Sequence, residues 1–292
     1  MYKQLTNSHS KTGAESQEED PNEEGDLSAV CRLQNPSCNY EDEMNLSLCG
    51  CGFLGIYHLG VAACLKQHGS SFLSSIQKVA GASAGSLVAS VLVIDDSKIE
   101  ECKNFTYGLA KEVKSKPLGA LTPGYNLLDS IKTFLNTMLP EDAHHKASGK
   151  LYISLTNTRT RKNVLVHQYQ SREHLIKCLL ASSHIPLYAS RLPVKIDGQN
   201  YMDGGITDNM VVFKNERTIQ VSPFCGRQDI SPNDKLGKEW YVSVNNQGFQ
   251  VNKNNLIRFS HAMIPPSNKV LMQYYNQGFK DAKRFLIKEK IL

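Results

Sequence analysis

Gly81-Ala82-Ser83-Ala84-Gly85 is a G-x-S-x-G run, and Ala80 before it extends the stretch of small residues around the serine. A serine held on a strained strand-to-helix turn needs such neighbours, because larger side chains would collide there. Its hydroxyl becomes a nucleophile only where a base takes the proton and donors stabilise the oxyanion formed on the substrate. A small-residue packing contact with no chemistry is the structural alternative. The choice turns on whether the chain supplies the other two parts.

Gly50-Cys51-Gly52-Phe53-Leu54-Gly55 has the G-x-G-x-x-G spacing ahead of a helical pattern. Backbone N–H groups at such a helix start can face a developing negative charge. Dinucleotide sites share the spacing but take an acidic residue about twenty positions on for the ribose. No Asp or Glu occurs from 44 to 94, which argues against a dinucleotide. Asp203-Gly204-Gly205 sets a carboxylate beside backbone that can turn sharply, which alone is an ordinary turn. Together, a glycine loop, a serine elbow and a later Asp are the parts for acyl transfer. His261 completes the chain order Ser, Asp, His of a triad, but a histidine just before Ile264-Pro265-Pro266 reads more simply as a surface or capping residue.

The elements that must hold these residues alternate. Residues 45–49, 76–80, 151–155, 163–169, 217–221 and 240–244 read as short strands, and 56–66, 86–94, 98–114 and 126–138 as helices. Strands alternating with helices imply a layered α/β fold. Residues 194–196 and 200–202 flank Asp197-Gly198, a pair suited to the two positive φ values of a tight hairpin, which puts Asp203 at a strand end. Residues 268–292 form a further helix, whose stripe of Leu271, Tyr274 or Tyr275, Ala282, Phe285 and Leu286 either packs on the body or, with Lys283, Arg284 and Lys288, meets an anionic surface.

With 292 residues, 40% hydrophobic and 21% charged, the chain can bury a sizeable core and is not fibrous or wholly disordered. Its net charge of +5 hides a division: residues 1–43 hold ten acids and three Lys or Arg. That leaves eighteen acids and thirty bases for 44–292. The acidic segment 1–43 is too poor in apolar residues to order itself and is expected to be a disordered tail, able to compete with anionic lipid for the basic body. Aromatic and basic residues are not interleaved in any nucleic-acid module, so no nucleic acid is expected. The charge-free stretches 45–65 and 79–94 are interrupted by Gly, Ser or His, and 1–11 lacks the apolar core of a secretory signal. A soluble, cytoplasmic protein is expected. Cys49 and Cys51 stand one residue apart and Cys31 and Cys38 six apart, so no C-x-x-C pair exists. Core cysteines, no metal and no cofactor follow.

These residues resemble the patatin-like phospholipase family, which joins the same glycine loop, serine motif and Asp-Gly-Gly run. The stretches 48–60, 81–90, 121–126 and 222–232 are similar to its animal branch, that of adipose triglyceride lipase and adiponutrin. The resemblance covers about 45 to the C-terminus. It implies a patatin-like three-layer α/β/α sandwich with a mixed, mainly parallel sheet over 44–292. It implies Ser83 as nucleophile, Asp203 as general base in a Ser-Asp dyad, and the backbone of Gly50, Cys51 and Gly52 as oxyanion donors. Gly55, Gly81, Gly85, Gly204 and Gly205 would shape the turns. Val211, in place of a usual proline, and His184, in place of a bulky apolar residue, are the departures. The expected activity is hydrolysis of a lipid ester such as a triacylglycerol, retinyl ester or phospholipid, with peripheral contact to a membrane or lipid-droplet surface. Acyl transfer to an alcohol on the same dyad, or a lipid-surface scaffold, are the alternatives. Nothing in the sequence fixes an oligomeric state.

Overall fold

The computed structural model describes residues 44–234 and 240–292, so the tail expected at 1–43 lies outside the described residues. In chain order the main sheet uses β1 (Met44–Leu48), β2 (Ile76–Gly81), β3 (Leu151–Asn157), β4 (Asn163–Val166), β5 (Val194–Ile196), β6 (Gln199–Asp203) and β7 (Arg217–Val221). Its order is β5-β6-β3-β2-β1-β7, with β4 on β3 as well. β3, β2, β1 and β7 run parallel, and β4, β5 and β6 are antiparallel to their neighbours. A separate ribbon pairs β8 (Tyr241–Val244) with β9 (Gln247–Gln250). The fold is therefore the mixed α/β class that the alternating pattern implies.

β3 has three partners and only two edges. β4 pairs along Ile153 to Thr156, overlapping both β2, opposite Ile153, and β6, opposite Leu155 to Asn157. β4 must then take one edge alone, and β2 and β6 share the other. The end of β2 (Gly81 opposite Ile153) and the end of β6 (Asp203 opposite Leu155) therefore face each other along β3. The hairpin that delivers Asp203 turns on Asp197 and Gly198 at φ of 48° and 78°, the two positive values its sequence suits.

Nine helices of the described residues surround the sheet: α1 (Gly55–His68), α2 (Ser70–Ser75), α3 (Ala84–Ile94), α4 (Ile99–Lys114), α5 (Leu127–Met138), α6 (Ala143–Ala147), α7 (Arg172–Ser182), α8 (Lys253–Met263) and α9 (Asn268–Lys288). Side chains of Asn126, Ser171 and Asn252 accept backbone N–H groups at the starts of α5, α7 and α8, satisfying donors that a helix start leaves orphaned. Every residue of β1 is buried, which requires helices over both faces of the sheet. α1 is buried nearly all round and packs against α9.

That packing is backbone to backbone. A Cβ on Gly60 would stand 2.0 Å from the Tyr275 carbonyl oxygen, and one on Gly278 2.1 Å from that of Tyr57. Beside this contact the buried Asp281 accepts Tyr57 Oη at 2.8 Å, Gln277 Nε2 at 2.9 Å and Arg284 Nη1 at 2.7 Å. Leu271, Ala282, Phe285 and Leu286 are buried, so the apolar stripe of α9 serves the core, and Arg284 is engaged by Asp281 and the Ser231 carbonyl. Helix α9 stops at Lys288, and β4 at Val166 because the next apolar residue, Tyr169, turns inward and donates to the carbonyls of Leu151 and Val166. No described helix is long and apolar enough to cross a membrane.

Gly278→Ala should destabilise the protein by about 1–3 kcal/mol, because carbonyl backbone cannot move aside as a side chain can. Gly108→Ala, on an exposed face of α4 with nothing within 4 Å of the new methyl, should instead leave stability unchanged or raise it by up to about 1 kcal/mol. Thermal melts of the two variants beside the parent check the contrast.

Candidate active site

Ser83 sits between β2 and α3 with φ of 51° and ψ of −129°, a region that a non-glycine residue occupies only under strain of about 1–3 kcal/mol. What holds it there is a chain of hydrogen bonds. The Ser83 N–H donates to Ser182 Oγ at 2.9 Å, and Ser182 Oγ donates to the Ser154 carbonyl at 2.8 Å. The end of α7 and strand β3 thus pin the elbow. Gly81 closes β2, and Gly85 lies in the first turn of α3, close to the carbonyls of Leu48 and Cys49.

Asp203 ends β6 and is buried. Its N–H donates to the His184 carbonyl at 2.9 Å, its carbonyl accepts Thr156 Oγ1 at 2.7 Å, and its Oδ1 accepts the Gly205 N–H at 2.8 Å. Gly204 and Gly205 open the 3-10 turn that follows. Burial lifts the carboxyl to about 6, against the lowering effect of hydrogen bonds from the Ser83 side chain and the Gly205 amide. Two residues that the family pattern would fill differently are both buried here: Val211, and His184, whose Nδ1 has no partner and whose pKa burial depresses. His261 Nδ1 lies 3.0 Å from Tyr274 Oη, and no histidine among the described residues hydrogen-bonds the Ser83 hydroxyl or the Asp203 carboxylate.

The glycine loop follows β1, and a 3-10 turn (Gly52–Leu54) carries it into α1 at Gly55. One finding corrects the expectation for it. The Gly50 N–H is not free for an oxyanion, because it donates to Asn209 Oδ1 at 3.0 Å. Asn209 Nδ2 in turn donates to the Gly50 carbonyl at 3.3 Å and to Gln247 Oε1 at 2.6 Å. A Cβ on Gly50 or on Gly205 would come within 2.6 Å or 2.5 Å of Asn209 Oδ1, so this side chain fills the gap between the loop and the Asp203 turn. Among the described residues the Cys51 and Gly52 amides make no hydrogen bond. Asn209 closes the Asp-Gly-Gly-x-x-x-Asn run in the sequence, yet nothing there announces a clamp on a loop so distant along the chain.

Ser83 opens onto a cavity of about 120 Å³, partly open to solvent, walled by Leu87, Val88 and Val91 of α3, Phe105 and Leu109 of α4, and Ile131, Phe134 and Leu135 of α5. Its few polar liners include Thr106, Ser183 and Tyr188. Walls so apolar favour a hydrocarbon chain over a charged ligand. Behind the loop, Cys49, Cys51 and His58 are buried together, the only three-residue group of metal-ligand type among the described residues. Burial raises both thiols, but hydrogen bonds with Cys51 and His58 draw Cys49 below the usual thiol range, while Cys51 stays well above it.

Known sequences contain the same arrangement. The family profile described as Patatin-like phospholipase matches residues 46–213, from within β1 past Asn209. Patatin-like phospholipase domain-containing protein 4 of Homo sapiens is 46% identical over 246 residues, which are 84% of this chain and 97% of that protein. Patatin-like phospholipase domain-containing protein 2 of Rattus norvegicus is 39% identical over 252 residues, 86% of this chain and 52% of its own length. A 1-acylglycerol-3-phosphate O-acyltransferase, Pnpla3 of Mus musculus, is 35% identical over 246 residues, 84% of this chain and 59% of its own. The match runs through the glycine loop, the Ser83 elbow and the Asp203 turn alike, and the chain belongs to the patatin-like phospholipase family.

Proposed function

We propose that this protein is a serine hydrolase of long-chain lipid esters working through a Ser83-Asp203 dyad. The observation that carries it is the strained Ser83 elbow, set beside a desolvated Asp203 and opening onto an apolar cavity. Ser83 Oγ attacks the ester carbonyl as Asp203 takes its proton, and the amides of Cys51 and Gly52 receive the oxyanion. Collapse expels the alcohol, protonated by Asp203, and leaves the acyl group on Ser83. Water repeats the sequence: Asp203 takes its proton, the fatty acid leaves, and Ser83 Oγ recovers a hydrogen. A carboxyl near 6 suits this role, since it is ionised at neutral pH and more basic than an exposed aspartate. The O-acyltransferase among the relatives supports a second reading, in which an alcohol instead of water accepts the acyl group.

Exposed apolar residues near the cavity support contact with a lipid surface. Tyr188, Ala189 and Met263 are among the residues that line it, and Tyr188 Oη donates to the Met263 carbonyl. Beside them Leu187, Leu192 and Ile264 are 75%, 77% and 71% exposed. Apolar side chains so exposed around an apolar opening would be buried at a lipid interface, at about 1.5–3 kcal/mol each.

A fluorophosphonate probe should label the parent and not Ser83→Ala, and Ser83→Ala and Asp203→Asn should each lower ester hydrolysis by roughly 10³- to 10⁴-fold. His261→Ala should cost less than about tenfold; a near-dead but folded His261→Ala enzyme would sink the dyad. Because the base acts only when ionised, kcat/KM should fall about tenfold per pH unit below about 6 and level off above it. Serine at 187, 192 and 264 together should reduce hydrolysis of vesicle-embedded esters at least about tenfold, while turnover of a short, water-soluble ester stays within about twofold.

A further inference from the structure

Cys49, Cys51 and His58 are placed together by a short segment: the end of β1, the glycine loop and the first turn of α1. Their side chains have no part in the acyl chemistry proposed above. Cys49 and His58 are fully buried and Cys51 is 5% exposed. One ligand atom from each lies within 4.8 Å of the others. The His58 ring is incompletely used by the fold: Nε2 is 2.9 Å from the Cys49 carbonyl and 3.9 Å from its sulfur, and the buried Nδ1 has no partner.

We infer that Cys49, Cys51 and His58 form a site for a thiophilic d¹⁰ cation of the Zn²⁺ class, and that its occupancy arrests the enzyme. Bonds of about 2.3 Å to sulfur and 2.0–2.1 Å to nitrogen set tetrahedral ligand atoms about 3.5–3.8 Å apart. The three atoms therefore need to close by at most about 1 Å or slightly more. Two thiolates and a neutral imidazole balance a dication, which removes the charge that burial would otherwise penalise. A hard cation such as Mg²⁺ gains nothing from sulfur ligands, so the donor set itself selects the ion. The route in is short, because Gly52 and Phe53, next to Cys51, line the open cavity.

The consequence for activity rests on the proposed role of the Cys51 and Gly52 amides. Cys51 would bind the cation through its side chain while its own N–H is needed for the oxyanion. Drawing its sulfur inward by about 1 Å moves that donor, and a displacement of this size costs about a hundredfold in rate.

The test uses the full-length chain, reduced and stripped with EDTA. Titration of Zn²⁺ against a chromophoric chelator should give one tight site per chain. Co²⁺ in its place should show sulfur-to-metal charge transfer with tetrahedral ligand-field bands. Both signals should vanish in Cys49→Ala and in His58→Ala, of which at least one must keep the parent circular dichroism. They should persist in Cys178→Ala, which removes the other buried cysteine beside a histidine, His174. Zn²⁺ should lower ester hydrolysis by the parent about a hundredfold, reversibly with EDTA, and leave the activity of Cys49→Ala insensitive to the ion. No tight site, a Co²⁺ spectrum without the thiolate band, or a Cys49–Cys51 disulfide that forms in place of metal binding overturns the site. Tight binding with undiminished hydrolysis overturns the arrest. Stoichiometric binding by a protein that shows no hydrolysis in any assay upholds the site while rejecting the hydrolase.

Discussion

The arrangement of the site depends on one edge of β3 being shared by two strands that arrive from opposite directions. β2 pairs with the start of β3 and leaves at Gly81, and β6 pairs with its end and leaves at Asp203. Backbone hydrogen bonds, which are costly to leave unmade, thus set the separation between the elbow and the carboxylate before any side chain acts. β1, level with β2 at Leu48 opposite Gly81, delivers the glycine loop at the same height. Open parallel sheets present ligand sites at the carboxyl ends of their strands for this reason, and here the antiparallel β6 brings a carboxylate into a place that a purely parallel sheet would leave to a loop.

Hydrogen bonds across that end then convert proximity into geometry. Ser182 and Ser154 hold the backbone of Ser83, while Asn209 holds that of Gly50 and is itself held by Gln247 of the β8–β9 ribbon. The ribbon lies outside the main sheet yet reaches the loop through this pair, and Gln247 Nε2 continues to Ser222 Oγ at 2.7 Å. By occupying the Gly50 amide, Asn209 leaves the next two amides as the unpaired donors. On the proposed reading, in which the Cys51 and Gly52 amides receive the oxyanion, a clamp on the preceding residue would keep those donors fixed and unsatisfied.

Much of the frame was legible because its signals are local. The strands around 45–49, 76–80, 151–155 and 217–221 are short apolar runs bounded by turn residues, and the Asp197-Gly198 hairpin follows from the φ values its two residues tolerate. β9 was not legible, since Gln247, Gly248 and Gln250 carry neither alternation nor β propensity. α7 and α8 were missed because their starts depend on caps from Ser171 and Asn252, and the apolar residues of α7 run almost unbroken from Leu175 to Ala181 and form no helical stripe. Within the site, the motifs marked Ser83, Asp203 and the loop by type. That the Gly50 amide is already engaged was hidden, because its contact with Asn209 is encoded by no local pattern. The cluster of Cys49, Cys51 and His58 was hidden for a similar reason: its spacing fits no familiar metal motif, and only the turn into α1 folds the histidine back over the two cysteines.

The apolar cavity and the isolated carboxylate belong to one electrostatic design. No acidic residue occurs from 44 to 94, so the glycine loop, the elbow and the helices α1 and α3 bring no negative charge toward Ser83. Desolvation can then act on Asp203 alone, raising its basicity without a neighbouring carboxylate to share the proton. On the proposed reading, the dry wall that raises Asp203 would also hold the acyl chain, and substrate entry would remove water from the carboxylate when its basicity is needed.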